Sequence, residues 1–417
     1  MGEYLSALEQ ATAEAWSTPL NQLDVSKAHR FATNTHWPFF DRLRKDAPVH
    51  YCAESMHGPY WSVTKFNDIV AVDANHQVFS SQDNIVIGDN PPEFAPPMFI
   101  AADPPVHDVQ RRAASPAVGP QRLGELESLI RSRVGSILDG LPRNETFDWV
   151  PAVSIELTTQ MLATLFDFPW EDRHLLPYWS DATTSSETVG NTSLTRERRQ
   201  EILMECLGYF SRLWQERQAA PPKFDFISLL AHDPATRNMI DNPIEFLGNL
   251  MLLIVGGNDT TRNSISGGLL ALNQNPAEYE KLRHNPDLAA NMVSEIIRYV
   301  TPLAHMRRTA LADVEFRGHK IRKGDRVVMW YVSGNRDDEV IDNPNAFIID
   351  RDRARHHVSF GFGIHRCMGN RVAEMQLRIL WEEIMKRFPR IDVVGEPVRL
   401  ESNFVLGITS LPVRIPA

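Results

Sequence analysis

The sequence predicts a mainly α-helical protein with small β-sheets, on three observations. Apolar residues recur at helical spacing over long stretches, and strand-like alternation is confined to short ones. No Gly/Ser-rich linker, low-complexity run or internal repeat divides the 417 residues. One domain over 1–417 is expected, with 1–30 as a peripheral N-terminal segment. A hydrophobic content of 43%, with 20 Phe and 9 Trp, is ample for one large core. The apolar run 250–255 falls far short of the roughly 20 residues a bilayer span needs. The first thirty residues lack a charged region followed by an apolar one, so a cytoplasmic protein without leader or anchor is expected. The net charge of -10 offers no general attraction for nucleic acid.

Taken in order, aromatic and β-branched residues around a turn predict strands within 48–63. The segment 85–99, with Gly88, four prolines and Met98-Phe99, reads as an irregular apolar lid. Helical periodicity then marks 125–141, 155–165, 201–219, 244–272, 276–284 and 288–299. Alternation at Val314, Phe316 and Ile321, with a turn at Lys323-Gly324 before Val327-Val328, predicts strands in 314–332. A helix follows over 371–387, and 394–415 is strand-and-turn in character. The segment 179–193 carries no pattern that assigns it a role.

The three cysteines, Cys52, Cys206 and Cys367, are widely spaced and odd in number, which argues against a disulfide framework or a paired-cysteine metal knuckle. Only Cys367 has a metal-site neighbourhood, in Phe360-Gly361-Phe362-Gly363-Ile364-His365-Arg366-Cys367-Met368-Gly369-Asn370. A metal-bound thiolate needs shielding and hydrogen-bond donors. Gly363 and Gly369 let backbone N–H groups approach, Phe360 can cover the loop, and the helix that follows aims its N-terminal dipole at the sulfur. The alternative for a lone cysteine is a buried thiol in a turn. The pattern F-x-x-G-x-H-x-C-x-G is too specific for that.

The helix beginning near Pro243 carries Gly256-Gly257-Asn258-Asp259-Thr260-Thr261 at its middle. Each glycine costs a helix about 1 kcal/mol relative to alanine. A flat ligand against the helix would need that clearance, and a local opening of the helix would leave a groove for dioxygen and water. Asp259 and Thr260 would supply a proton source and a hydroxyl there. The plainer alternative is close helix packing with solvated polar groups. Glu295-Ile296-Ile297-Arg298 puts a carboxylate and a guanidinium on one helix face, a common pairing and weak evidence by itself.

Together these segments resemble the cytochrome P-450 superfamily, the haem-thiolate monooxygenases. The resemblance spans about residue 30 to the C-terminus and implies haem b, held between the long central helix and the cysteine-loop helix. It makes Cys367 the axial iron ligand, Thr260 the residue that steadies activated oxygen, and Asp259 its proton-relay partner. It implies contacts to the cofactor from Gly256, Phe360 and Gly369, and propionate contacts from His107, Arg111, Arg308 and His365. Arg111 lies one helical turn beyond His107. Glu295, Arg298 and Arg351, the last in Phe347-Ile348-Ile349-Asp350-Arg351, form by resemblance a structural triad supporting the loop.

The runs Gly256 to Asn263, Thr301 to Arg308 and Val328 to Asp337 resemble, more narrowly, the soluble bacterial alkane and fatty-acid terminal hydroxylases. That resemblance implies insertion of one oxygen atom from O2 into a terminal methyl group. The pocket candidates are Ile87, Met98 and Phe99 in the lid, Leu252, Leu253 and Val255 on the central helix, Leu303 and Ala304, and Phe404, Val405 and Leu406; core packing would account for them equally well. The chain has no flavin or NAD fingerprint and no cysteine set for an iron–sulfur cluster, so electrons must come from outside. A [2Fe-2S] ferredoxin with an NAD(P)H-dependent reductase is the expected source, docking on Arg353, Arg355, Arg366 and Arg371. The rivals are a terpene or sterol side-chain hydroxylase, a peroxide-driven or nitric-oxide-reducing relative, and a haem-thiolate sensor. The intact Asp259-Thr260 pair argues against the second and the lack of an output domain against the third.

Overall fold

The helix predicted over 244–272 runs from Pro243 to Gln274 in the computed structural model, which describes residues 2–82, 84–89, 96–186 and 190–417. At 32 residues it spans about 48 Å. Glu156–Leu165, Leu175–Thr184, Ala289–Val300 and Asn370–Arg387 pack around it. Its glycines explain how closely they come. A methyl group on Gly257 would stand 2.6 Å from Leu162, and one on Gly268 2.8 Å from Ile296. Close packing, the plainer alternative, therefore accounts for Gly257. Gly256 has no neighbour within 4 Å of that position and opens onto a cavity. The expected local opening of the helix is absent: the α register is continuous, and the Thr260 hydroxyl donates to Gly256 O at 3.2 Å within an intact turn.

The other predicted helices are present as Pro120–Asp139, Glu156–Leu165, Arg196–Ala219, Pro276–His284, Ala289–Val300 and Asn370–Arg387. The helices not predicted include Gly2–Ser17, Trp37–Asp46, Phe66–Ala74, Val106–Ala114, Leu175–Thr184 and Phe226–His232. Short helices are marginal in isolation and form here because a packed face holds them. Gly2–Ser17 buries Ala11 and Ala15 and packs on Trp37–Asp46. No helix among the described residues is long and apolar enough to cross a membrane.

The main sheet orders Val49–Cys52, Tyr60–Val63, Arg326–Met329, Met306–Ala310 and Phe79–Ser80. Only the Tyr60–Val63 and Arg326–Met329 pair is parallel. Arg308 stands opposite Val327 in the fourth strand, which fixes its approach to the cysteine loop. The 314–332 region folds as predicted, with a hairpin of Val314–Phe316 and His319–Ile321 turning at Arg317-Gly318, both at positive φ.

Three histidines, His36, His305 and His357, are buried as neutral rings, and His305 ties distant segments together. The His305 ring accepts from Ile87 N–H at 3.0 Å through Nε2 and bonds Asn403 O at 2.9 Å through Nδ1, so its two nitrogens take opposite roles. Burial lowers the pKa of His36, His305 and His357 to about 3. Because these folded-state values lie below the unfolded value near 6.5, the stabilisation is full above that pH and is lost as pH falls toward 3. At pH 5 each should cost roughly 2 kcal/mol of stability. The urea midpoint should therefore drop sharply between pH 7.5 and 5, and a His305→Asn variant should lose less across that interval than the parent.

Candidate functional site

The cysteine loop is shaped by contact with a distant helix. Gly361 and Gly363 have φ of 66° and 65°, a region that favours glycine. A methyl group on Gly363 would lie 2.7 Å from Asp73 O. Gly369, expected to supply the same freedom, has an ordinary φ of -90°. Its contribution is an N–H: hydrogen bonds from Gly369 and Asn370, at the start of Asn370–Arg387, reach Cys367. Desolvation raises the thiol pKa, while those bonds and the charges of Arg111 and Arg366 oppose the rise. The accessible surface of Cys367 faces the cavity, whose lining includes it. Cys367 N–H closes the loop on Phe360 O at 2.8 Å.

Beneath the loop lies a buried cluster of charges. Glu295 accepts from Arg298 at 2.7 and 2.8 Å, from Arg351 at 2.9 Å and from the Ile348 N–H at 2.8 Å. Arg298 donates onward to the carbonyls of Asn335, Pro344 and Ala346. The side chain of Asn335 then accepts from Val358 N–H and donates to Ser359, both at 2.8 Å. An unbroken path therefore leads from Glu295 to the residue before Phe360. Asn335 was not singled out from the sequence, because nothing local marks it.

Cys367, Phe360, Arg111, Arg308 and His365 share one cavity with Gly256, Gly257, Thr260 and Leu253 of the central helix. Both ring nitrogens of His365 and Nε of Arg308 are buried without a hydrogen-bond partner. His107 stands behind, its ring edge-on to His365 at 4.4 Å, with Nε2 also unpartnered. Arg111 donates to Arg366 O at 2.5 Å. Donors left bare in a buried cleft are costly unless a polar group meets them.

On the central helix, Asp259 is 1% exposed. Its Oδ1 meets Arg262 at 2.8 Å, Asn258 at 3.0 Å and Ser180 at 3.2 Å, and its Oδ2 has no partner. Desolvation raises its pKa against the pull of Arg262. Arg262 also reaches Asp181 at 3.0 Å, a carboxylate 58% exposed, so the buried acid is linked to the surface. A second, largely apolar chamber abuts the first at Ile100, Leu252, Gly256, Thr260, Leu303 and Met306.

The family model for cytochrome P450 matches residues 192–415, more than half of the chain. The chain belongs to the cytochrome P450 family. It is 46% identical to the solved structure of cytochrome P450-153 from Novosphingobium aromaticivorans, covering 94% of this chain and 99% of that one with a TM-score of 0.89. It is 36% identical to linalool 8-monooxygenase of Pseudomonas putida, over 94% of this chain and 98% of the relative. A methyl-branched lipid omega-hydroxylase of Mycobacterium tuberculosis is 28% identical over 90% of each. The fold is the P450 fold and the activity that of a P450 monooxygenase, which requires O2 and a redox partner.

P450 enzymes use haem b with thiolate-ligated iron, and the residues here fit it. The cavity brings an inward-facing thiol, a bare glycine on the facing helix and unpartnered cationic or neutral nitrogen donors into one space. Of the pocket candidates, Met98, Leu252, Val255, Leu303 and Phe404 line the chamber, and Phe99 and Leu253 line the cleft. Ile87, Ala304, Val405 and Leu406 line neither. Ile87 and Ala304 belong to a buried core cluster with Trp330, Leu406 packs against that cluster, and Val405 pairs with Leu303. Leu303 and Phe404 reach the chamber wall, while Val405 is buried in the cluster against which Leu303 packs. The lid's Ile85, Val86, Pro96 and Met98 contribute to the wall; its residues 90–95, and 187–189 of the unassigned segment, lie outside the described residues. Sequence reasoning missed Met204, Leu247 and Met251 as chamber wall. Replacing Glu295 with Gln should leave two buried guanidinium groups short of charge, at about 3–5 kcal/mol. A lower urea midpoint and poor recovery of haem-loaded protein are the expected readings.

Proposed function

We propose that this P450 inserts one oxygen atom into the terminal C–H of a medium-length alkane or fatty acid, with electrons from a ferredoxin. The observation that carries the reading is the apolar chamber meeting the cleft at Leu252, Leu303 and Thr260. The likeness to an omega-hydroxylase and to a P450-153 supports it. Bound haem supplies the one-electron chemistry that splits dioxygen. In this reading Cys367 would hold the iron, and Arg111, Arg308 and His365 would receive the propionates with His107 behind them. Gly256 gives clearance. Asp259 holds a proton at its unpartnered Oδ2, Arg262 ties it to Asp181 for exchange with solvent, and Thr260 passes the proton on through its hydroxyl. Glu295, Arg298 and Arg351 keep the loop in place. Arg353, Arg355, Arg366 and Arg371 are all exposed and offer an acidic ferredoxin a basic face.

A terminal methyl C–H is stronger than its methylene neighbours, so position must override reactivity. Each tenfold preference takes about 1.4 kcal/mol of differential barrier. The wall is largely apolar, with Thr260 and Asp259 as the polar groups at the reacting end. Burying eight carbons at about 0.8 kcal/mol each contributes roughly 6 kcal/mol, a dissociation constant on the order of tens of micromolar.

One polar group favours an acid over an alkane. Arg199 lines the chamber and donates to the carbonyls of Ala182 and Thr183 at 3.1 and 3.3 Å, yet makes no ion pair among the described residues. Thr183 touches Met251, nine residues before Thr260 on the central helix. That separation is about 13 Å at 1.5 Å per residue, the reach of roughly ten carbons at about 1.25 Å each.

The test is product analysis with NADH, a surrogate ferredoxin and its reductase, and a mixture of n-alkanes, fatty acids and limonene. Primary alcohols or omega-hydroxy acids are expected; ring or mid-chain oxidation contradicts the reading and favours the terpene alternative that the linalool relative suggests. Leu303→Ala should move oxidation inward along the chain, and unchanged regiochemistry would remove Leu303 from its assigned place. Arg199→Ala should raise KM for a carboxylate chain about tenfold or more while leaving an n-alkane unaffected.

A further inference from the structure

Asp73, on the last turn of Phe66–Ala74, is 1% exposed and accepts three hydrogen bonds from three separate elements. Arg308 Nη2 donates to its Oδ1 at 2.6 Å. The Tyr331 hydroxyl and the Phe362 N–H donate to its Oδ2 at 2.8 and 2.7 Å. Gly361 and Gly363 lie so close that a methyl group on either would press on Asp73, at 3.0 Å from Oδ2 and 2.7 Å from O. Arg308 spends Nη1 on Arg307 O, which leaves Nε bare toward the cleft.

We propose that Asp73 is a positioning residue for the haem: one carboxylate aims the propionate-side Arg308, fixes the course of the thiolate loop, and by its charge holds the haem reduction potential down. A buried carboxylate requires charged or hydrogen-bonding partners, and here it takes them from the two parts of the chain that must agree on where the cofactor sits. Its charge also balances that of Arg308. In a low-dielectric interior a fixed negative charge disfavours the extra electron of the ferrous state. The inference rests on the assignment of Arg308 to the propionate side.

Asp73→Asn keeps the shape and an acceptor for Tyr331 and Phe362 but removes the charge that faces Arg308. Its ferric–ferrous equilibrium should move about tenfold toward ferrous, which is 59 mV for a one-electron couple. Haem transfer to an excess of an apo-haem scavenger should quicken. A ferric–ferrous equilibrium within twofold of wild type overturns the proposal. Tyr331→Phe removes one hydrogen bond and no charge, so its potential should stay at the wild-type value; an equal upward shift there overturns the charge argument. If Asp73→Asn fails to hold haem, Asp73→Glu carries the test, with a wild-type potential expected and a raised one contradictory. Arg308→Gln separates the underlying assignment: unchanged haem retention in that variant sinks the propionate role of Arg308, whatever Asp73→Asn shows.

Discussion

A fully buried carboxylate that must satisfy two arginines is the constraint on which the site depends. Glu295 cannot be solvated where it lies, so Arg298 and Arg351 are drawn in, and their remaining N–H groups must find carbonyls. Those carbonyls belong to 335–346, the segment that leads through Asn335 to Val358 and Ser359. The cysteine loop is thus held by a charge cluster it never touches. The direct contribution of such a cluster to stability is small once desolvation is counted, and its structural effect is one defined loop path.

The two sides of the cleft solve different problems. The loop side is polar and over-determined, with glycines at positive φ and donors aimed at one sulfur. The helix side is apolar apart from one turn. There Asp259 sits desolvated, half of its carboxylate tied to Arg262 and half unpartnered.

What was legible in the sequence was local. The cysteine loop, the Asp259-Thr260 turn and the Glu295-Arg298 pair each lie within a dozen residues, so their patterns could be read, and long periodic helices were placed within a few residues of their ends. Asp73 and Arg308 meet across 235 positions, and no local pattern announces that pairing. The lid and the turn at 403–406 showed the same limit: apolar composition could be read, but not which of two adjacent residues faces inward. Gly257 carried a signal for clearance and stands against Leu162, because a pattern records that a small residue is needed and not what stands beside it.

The central claim is that a chain lies end-on, its methyl group toward the cleft and its other end near Arg199. Paramagnetic relaxation of the protons of a bound decanoic or dodecanoic acid by the ferric haem measures that order directly. The account predicts that the terminal methyl protons relax fastest and the methylene beside the carboxylate slowest. Fastest relaxation at the carboxylate end, or rates independent of position, would contradict it.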